Sequence, residues 1–337
     1  MSERQQRAVV LASRPEGIPQ AAHFSIVSRA VPALADGQVL VRNRYLSVEP
    51  AMRGWVNAAA NYSTPVGIGE VMRSFAAGHI VESRHPDWPV GTAVTGLFGW
   101  QEFATIDPAV IDHRVEATDL PLSTALGVLG INGITAHYGL LKIGEPHPGN
   151  TVLVSTGAGA VGSAVGQIAK LHGCKTIAIT GGETKRSLCL QRFAYDQAVD
   201  YQREDFAAQL AQACAGGIDI YFDNTSGKIS DAVMPYLNVG ARVIICGTAS
   251  IANWDPPPLG PRVERHLLVK RARMQGFVIL DHKDHYATAR ADLARWLREG
   301  KLQYEEDVLE GIEQAPDAIA GLYRGDNLGK RLIRLRD

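Results

Sequence analysis

The chain has 337 residues, of which 46% are hydrophobic and 20% are charged, and its formal net charge is −1. This length predicts two domains of ordinary size, and the near-zero net charge excludes a global electrostatic field that would attract nucleic acid or an anionic membrane. The polar segment 1–7 lacks the apolar core of a signal peptide, and no window stays apolar over the length of a membrane span, so we expect a cytoplasmic protein.

Residues 1–120 have the pattern of short strands separated by turns. Val, Leu and Tyr are concentrated at 7–11, 39–46 and 93–99, and clusters of Pro and Gly lie between these segments. This rhythm predicts a compact β-domain. The apolar, glycine-rich stretch 122–141 that follows predicts a closely packed helical connection.

From residue 150 the chain alternates predicted strands with predicted helices. The strands are expected at 151–154, 176–180, 218–222 and 242–246, and the helices at 162–172, 185–193 and 230–237. Such alternation predicts a parallel sheet with right-handed crossovers, so the fold class is α/β. The remaining elements are a proline-rich loop at 254–261, a helix with an apolar stripe at 286–298, and a final helix and strand at 312–323 and 328–335.

A glycine-rich turn between the first strand and helix of this region is the strongest local signal. Gly157, Gly159 and Gly162 have GxGxxG spacing directly after an apolar strand. In a dinucleotide site the first glycine permits the turn, the second lets the backbone approach a pyrophosphate, and the third lets helix and strand pack closely. The pyrophosphate then lies over the free N–H groups at the start of the helix. Because a strand precedes the motif and a helix follows it, the motif predicts a dinucleotide site.

The end of the second strand predicts which nucleotide binds. NAD sites usually place Asp or Glu there to bind the ribose 2′-OH, whereas this strand ends in Thr180, Gly181 and Gly182. Lys185 and Arg186 follow and could pair with a 2′-phosphate. This favours NADPH over NADH, the alternative being that both cations are ordinary surface residues of a first helical turn.

The cysteines and histidines do not have the spacing of a metal site. A zinc-dependent alcohol dehydrogenase of similar length carries Cys and His ligands in its first domain. Here no cysteine precedes Cys174, the other three are Cys189, Cys214 and Cys246, and the early histidines are scattered. We therefore expect free thiols in a reducing compartment and chemistry without a metal ion.

Several short motifs occur in an order that resembles a known family. They are Asn-Arg-Tyr-Leu-Ser-Val-Glu-Pro at 43–50, Gly-Ile-Thr-Ala at 133–136, Gly-Ala-Val-Gly-Ser at 159–163, Tyr-Phe-Asp-Asn at 221–224, Ile-Cys-Gly at 245–247, Gln-Gly-Phe at 275–277 and Asn-Leu-Gly-Lys at 327–330. The chain resembles the medium-chain dehydrogenase/reductase superfamily, and within it the zinc-free branch of leukotriene B4 12-hydroxydehydrogenase/prostaglandin reductases, plant double-bond reductases and curcumin reductases. The resemblance implies a GroES-like catalytic β-domain at 1–122, a Rossmann domain with a doubly wound parallel sheet at 123–307, and a C-terminal return at 308–337.

The resemblance also implies a set of cofactor contacts. It places the pyrophosphate at Gly159, Ala160, Val161 and Gly162, the 2′-phosphate at Gly181, Lys185 and Tyr201, the adenosine and nicotinamide path at Asn224, Cys246 and Gly247, and the nicotinamide near Thr135, Phe277 and Asn327. Tyr201 could instead cap a strand. Cys246 is expected to be a small buried residue beside the cofactor rather than a reactive thiol.

Two positions depart from the family pattern around the substrate. Ala51 follows Glu49-Pro50 where relatives have Tyr, and Val269 stands where plant and mammalian members carry a tyrosine thought to stabilise an enolate. These changes predict a wider, more apolar pocket. Arg53 could orient an anionic substrate or form a structural ion pair.

The resemblance implies NADPH-dependent reduction of the C=C bond of α,β-unsaturated ketones or aldehydes in a homodimer, with NADP(H) as the cofactor and a small molecule as the partner. Such a reaction needs hydrogen bonds to the enolate oxygen. Tyr45, the nicotinamide ribose or water could donate them, although a tyrosine in an apolar strand more often packs. A quinone reductase and an NADPH-binding protein without significant turnover remain alternatives.

Overall fold

The computed structural model describes residues 4–58, 63–251, 256 and 258–336, so the loop expected at 254–261 lies partly outside the described residues. The chain forms two compact units, one of Met1–Gly127 with Glu306–Asp337 and one of Val128–Glu305. The functional domain boundaries given above stay predictions. Within the described ranges, no helix has both the length and the apolar character needed to cross a membrane.

Fifteen strands are found in the part of the chain that the structure describes. In chain order they are β1 Gln5–Leu11, β2 Phe24–Ala30, β3 Val39–Ser47, β4 Ala76–Ser83, β5 Ala93–Gly96, β6 Phe103–Ile106, β7 Ile111–Arg114, β8 Thr151–Ser155, β9 Lys175–Thr180, β10 Gln197–Asp200, β11 Ile218–Asp223, β12 Leu237–Ile245, β13 Arg273–Gly276, β14 Glu306–Glu310 and β15 Lys330–Arg334. The α-helices are α1 Met52–Trp55, α2 Ile131–Tyr138, α3 Ala160–Leu171, α4 Glu183–Gln191, α5 Phe206–Ala213, α6 Gly227–Val233, α7 Glu264–Lys270, α8 Tyr286–Arg298 and α9 Ala315–Arg324.

The first unit is built on mostly antiparallel β-structure to which the C-terminal segment adds a parallel pair, β14 and β15. Its larger sheet has the order β14-β15-β3-β4-β5-β7 with β6 paired to β3, and β1 and β2 form a second sheet. Strand β15 runs antiparallel to β3, with Leu332 opposite Ser47. The core of this unit contains the fully buried Trp100 and, from the C-terminal segment, Ile333. The C-terminal return therefore belongs to the β-domain core.

The second unit contains a six-stranded sheet with the order β10-β9-β8-β11-β12-β13. Every neighbouring pair in it is parallel. The chain moves outward from β8 to β10, returns to the far side of β8, and then moves outward again from β11 to β13. This reversal is the switch point of a doubly wound fold. The predicted α/β fold, a β-domain with a Rossmann-type domain, is confirmed.

Three predicted elements differ from the structure. The expected helical connection at 122–141 is a 3₁₀ turn at Leu122–Leu126, then α2, then a wider π turn at Gly139–Gly144. Gly130, which is extended with φ −97° and ψ −157°, separates the 3₁₀ turn from α2. The helix expected at 230–237 ends at Val233 in α6, and Leu237 already begins β12. The strand expected at 93–99 ends at Gly96.

Candidate cofactor and substrate site

The carboxyl ends of all six parallel strands meet at one edge of the second unit's sheet. Predicted cofactor residues follow each end directly: Gly159–162 after β8, Gly181 after β9, Tyr201 after β10, Asn224 after β11, Cys246 and Gly247 after β12, and Phe277 after β13. In open parallel sheets ligands bind outside the carboxyl ends, at the switch point. The fold thus brings these residues to one edge, with Lys185 in α4 beside them.

The glycine-rich turn leaves no room for side chains. A Cβ at Gly162 would overlap the carbonyl oxygen of Thr156, and a Cβ at Gly157 would lie 2.6 Å from the Cβ of Ala178. Gly159 is the N-cap of α3, and among the described residues no side chain caps this helix. The first N–H groups of α3 are therefore available to an anion, and the close approach of backbone atoms fits a pyrophosphate.

A buried carboxylate fixes the turn at the switch point. Asp223 is completely buried, and its Oδ1 accepts hydrogen bonds from the backbone N–H groups of Thr225 and Ser226 at 2.9 and 2.8 Å. The next residue, Asn224, donates from Nδ2 to the carbonyl oxygen of Ser155 at 2.7 Å. Sequence reasoning missed this role of Asp223, although an acid that ends a buried apolar strand is its signal.

The thiol of Cys246, a predicted cofactor contact at this edge, is kept in its protonated form. Burial, and secondly the charge of Asp223, raises the pKa of Cys246 to about 12. The neighbouring Gly247 has no space for a side chain, because a Cβ would lie 2.8 Å from the carbonyl oxygen of Asn224. Cys246 is only partly buried by its accessible surface, in contrast to the buried residue expected from the sequence, and its protonated thiol is a poor nucleophile at neutral pH.

The side of the sheet at β9 and β10 carries the residues predicted for the 2′-phosphate. Tyr201 is 44% exposed, and a Cβ built on Gly181 would lie 3.0 Å from its ring. Arg186 forms an ion pair with Glu183 at 2.7 Å, and this hydrogen bond lowers the pKa of Glu183. Lys185 therefore lies beside a cation that already has a carboxylate partner.

An acid lies next to this region, at the end of β10 rather than β9. Asp200 is 6% exposed, and its Oδ1 accepts hydrogen bonds from the N–H groups of Gly182 and Gln202 at 2.9 and 3.0 Å. Asp200 lies 20 residues beyond the end of the strand that normally carries the NAD-binding acid, Thr180, so its position was not expected from the sequence. Asp200 joins the two turns that carry Gly181 and Tyr201.

The residues predicted near the nicotinamide include two from the second unit. Thr135 donates its hydroxyl to the carbonyl oxygen of Ile131 at 2.6 Å. The ring centres of Phe277 and Tyr138 are 5.7 Å apart. A Cβ built on Gly139 would lie 2.9 Å from Cζ of Phe277. Phe277 is thus held against the end of α2.

Three residues are predicted to lie in the substrate pocket: Ala51, Arg53 and Val269. Ala51 precedes α1 and packs against the core of the first unit, and the Arg53 guanidinium lies 4.8 Å from the centre of the Tyr323 ring. Tyr323 donates its hydroxyl to the carbonyl oxygen of Pro50 at 3.0 Å. This contact joins residues 273 positions apart, so no local sequence pattern indicates it. In the second unit, Val269 on α7 is 51% exposed.

Tyr45 and Asn327 also lie in the first unit. Tyr45 packs against Ala77, Leu126 and Leu332, as a strand tyrosine often does. The Arg334 side chain bonds to Glu310 and to Tyr45, and these hydrogen bonds raise its pKa. Asn327 donates from Nδ2 to the carbonyl oxygen of Gly329 at 2.8 Å, in the turn that leads into β15.

A buried ion pair fixes the segment that leads into Ala51. The ammonium of Lys330 donates to Ser47 Oγ at 2.6 Å and to Glu49 Oε1 at 2.7 Å, and both charged side chains are less than a tenth exposed, at 4% and 7%. Burial lowers the pKa of Lys330, against the raising effect of Glu49. No local sequence pattern indicates this ion pair, because 281 residues separate its members.

The described residues contain no group of three or more His, Cys, Asp and Glu side chains that could hold a metal ion. All four cysteines are free thiols.

Comparison with known proteins finds relatives along the whole chain. Two family models match, the N-terminal domain of oxidoreductase over residues 7–113 and the zinc-binding dehydrogenase over residues 160–295. The chain is 41% identical over 340 residues to the NADPH-dependent curcumin reductase of Escherichia coli (strain K12), covering 99% of this chain and 98% of that protein. It is 34% identical over 333 residues to the NADP(+)-dependent 2-alkenal reductase of Nicotiana tabacum, covering 97% and 96%. The crystal structure of CurA from Vibrio vulnificus in complex with NADPH matches with a TM-score of 0.93 at 44% identity, covering 98% and 99%.

Proposed function

This chain belongs to the zinc-free branch of the medium-chain dehydrogenase/reductase superfamily, and from that premise we propose that it is an NADPH-dependent reductase of the C=C bond in α,β-unsaturated ketones and aldehydes that works without a metal ion. Relatives named as curcumin and 2-alkenal reductases support this substrate class, since a 2-alkenal is an α,β-unsaturated aldehyde.

The observation that carries the proposal is the backbone cradle at the head of α3. A Cβ at Gly162 would overlap a carbonyl oxygen, and Gly159 begins an α-helix that no side chain in the described part of the chain caps. Bare N–H groups and a helix dipole favour a diphosphate. In this proposal Gly159, Ala160, Val161 and Gly162 hold the pyrophosphate, and Asn224, Cys246 and Gly247 line the path to the nicotinamide.

We assign the preference for NADPH to the end of the sheet at β9 and β10. Lys185 and Tyr201 would bind the 2′-phosphate beside Gly181, and Arg186 is engaged by Glu183. The acid nearby, Asp200, already accepts two backbone hydrogen bonds through Oδ1. Its carboxylate therefore supports the turns around the phosphate site.

When bound, NADPH supplies a hydride to the β-carbon of the substrate. Negative charge then develops on the carbonyl oxygen, and donors placed there speed the reaction. Tyr45 is our proposed side-chain donor, and its phenol also forms a hydrogen bond with the Arg334 side chain. The family resemblance further predicts Thr135, Phe277 and Asn327 as residues near the nicotinamide, Arg53 as a residue that would orient an anionic substrate, and Ala51 and Val269 as substrate-pocket residues.

The test is turnover of a panel of enones, enals and quinones with NADPH, followed by mass spectrometry of the products. The proposal predicts saturated ketones and aldehydes, with higher kcat/KM for enones and enals than for quinones. Higher kcat/KM for quinones would favour a quinone reductase. Tight NADPH binding without turnover on any compound would leave a binding protein and contradict the proposal.

We further propose that the protein is a homodimer, as the family resemblance implies. Analytical ultracentrifugation tests this directly. A mass of twice 36.3 kDa is expected, and a single-chain mass at micromolar concentration would contradict it.

A further inference from the structure

A chain of titratable side chains connects three elements of the second unit. His137 at the end of α2 has Nδ1 at 2.9 Å from Nε2 of His285 and Nε2 at 3.2 Å from Oδ2 of Asp292. His285 lies just before α8 and Asp292 lies within it. His137 is 2% exposed, whereas His285 and Asp292 are partly exposed, so the chain of groups leads from the protein interior to the surface.

The hydrogen-bond chemistry restricts where protons can be. An ionised carboxylate only accepts, so Nε2 of His137 carries a proton toward Asp292. In the neutral pair, Nδ1 of His137 therefore accepts from Nε2–H of His285. One added proton is compatible with the bond between the rings, because one of the two facing nitrogens can still accept. A second added proton would place two N–H groups face to face and break the bond.

Burial disfavours uptake of even one proton by the histidine pair, because it lowers the pKa of both rings. Burial lowers the pKa of His137 more than any other effect, with His285 and His172 also lowering it, while the hydrogen bond and charge of Asp292 raise it. Burial also lowers the pKa of His285, with contributions from Lys142 and His282 that are opposed by Asp284 and Asp292. Arg295, the remaining charged neighbour, bonds to Asp292 at 2.7 Å and holds that carboxylate ionised.

The histidine pair is coupled by packing to the residue that follows β13. The Tyr138 ring stacks on His282 at 4.1 Å between ring centres and meets His285 edge-on at 5.2 Å. Phe277 in turn packs against Tyr138 and Gly139. Since Phe277 follows the last strand at the carboxyl edge, a shift of His285 reaches the cofactor edge through two aromatic contacts.

We propose that His137 and His285 are positioning residues for the nicotinamide end of the site, and that double protonation of this pair weakens cofactor binding at acidic pH, well below neutrality. The inference rests on the proposed function, because it takes the carboxyl edge as the NADPH site. The neutral pair holds Tyr138 and Phe277 in place, and the doubly protonated pair cannot.

The test is the dissociation constant of NADPH between pH 7.5 and 4.5 for the wild type, His137→Gln and His285→Gln. Glutamine can donate and accept in place of either ring but does not titrate. The 2′-phosphate itself titrates near pH 6 in every variant, so the ratio of wild type to variant isolates the histidines. His147→Gln, an exposed histidine on a loop of the same unit, is the matched control.

Over this range we expect the NADPH dissociation constant of the wild type to rise by about tenfold more than that of either Gln variant. A tenfold change corresponds to a shift of about one pKa unit in the histidine pair when NADPH binds. The control should follow the wild type, and melting temperatures at each pH show whether a variant is folded. His137→Leu, which removes both hydrogen bonds, should bind NADPH more weakly at every pH, and His137→Gln should recover most of that loss.

Superimposable pH profiles of the wild type and both Gln variants would overturn this inference and leave the proposed function standing. Absence of NADPH binding by the wild type at pH 7.5 would instead overturn the proposed function, and this inference with it.

Discussion

At the residue scale, single carbon atoms decide whether the backbone can approach a diphosphate. Gly159 and Gly162 differ in the atoms that an added Cβ would contact. A Cβ on Gly159 would lie nearest to Cγ2 of Thr156, at 2.8 Å, which is the end of a side chain. At Gly162 the neighbour is a backbone carbonyl that cannot move away. Binding and folding can therefore be separated at Gly159 but not at Gly162.

Gly159→Ala is expected to weaken NADPH binding at least ~10-fold, because the methyl group occupies the space of the pyrophosphate. Thr156→Ser in the same chain removes the methyl that the new Cβ would meet and should restore stability without restoring affinity. Calorimetry and thermal unfolding of the single and double variants check this. Recovery of affinity in the double variant would show that Gly159 serves packing alone.

Lys185→Met is expected to reduce NADPH affinity by ~10- to 150-fold, equivalent to a lost charged hydrogen bond of about 1.5–3 kcal/mol. NADH affinity should be unchanged, since NADH lacks the 2′-phosphate. The matched control is Arg186→Met, which removes a neighbouring cation that is already paired with Glu183. Equal losses of NADPH affinity in the two variants would argue against a specific role for Lys185.

At the element scale, β15 is attached to the end of β3 by a buried ion pair as well as by strand pairing. Lys330 at the start of β15 bonds to Ser47 and Glu49, which lead into Ala51. The C-terminal return therefore fixes the loop predicted to meet the substrate. Removing one member of such a pair leaves the other charge buried without it.

Lys330→Met should destabilise the protein by about 3–5 kcal/mol, as measured by urea unfolding. Lys330→Met with Glu49→Gln should be less destabilised than Lys330→Met, because the second change removes the remaining buried charge. A double variant as unstable as the sum of the single variants would indicate that the two side chains do not interact.

Elements with strong periodicity were predictable, and short ones were not. A five-residue apolar stripe predicted α8, and four of its side chains are buried while Leu297 is only partly buried: Tyr286, Ala289, Leu293, Trp296 and Leu297. Strands β10 and β13 have four residues each and gave no alternation long enough to recognise. Their burial depends on neighbouring strands, which a single segment of sequence does not reveal.

Features of the candidate site that depend on the local backbone could be predicted from the sequence. Features that depend on tertiary contacts could not. The glycine spacing predicted the turn before α3, and the structure explains Gly157 and Gly162 by direct overlap. The His137–His285 contact joins residues 148 positions apart, so no local pattern could indicate it. Arg186 resembled Lys185 in the sequence, and only the structure shows its bond to Glu183.

At the scale of the whole molecule, stability should fall as the pH drops below about 6.5, the ordinary pKa of histidine. Burial lowers the pKa of His79, His137 and His285 in the folded state. Below this pH the unfolded chain binds protons that the folded chain does not, which favours unfolding. The loss should grow until the pH reaches the lowered folded-state pKa values.

Urea unfolding at pH 7.5, 6.5 and 5.5 checks this prediction. His137→Gln should have a smaller decrease in unfolding free energy between pH 6.5 and 5.5 than the wild type, while His147→Gln should match the wild type. A wild-type stability that stays constant or increases as the pH falls through this range would contradict the assignment.

The central claim is that the carboxyl edge of the parallel sheet binds NADPH through the backbone at the head of α3 and selects its 2′-phosphate beside β9. Isothermal titration calorimetry of the wild-type protein with NADPH and then NADH tests it most directly. We predict saturable binding of NADPH with one site per chain and at least ~10-fold weaker binding of NADH. No heat from NADPH, or equal affinity for the two nucleotides, would contradict it.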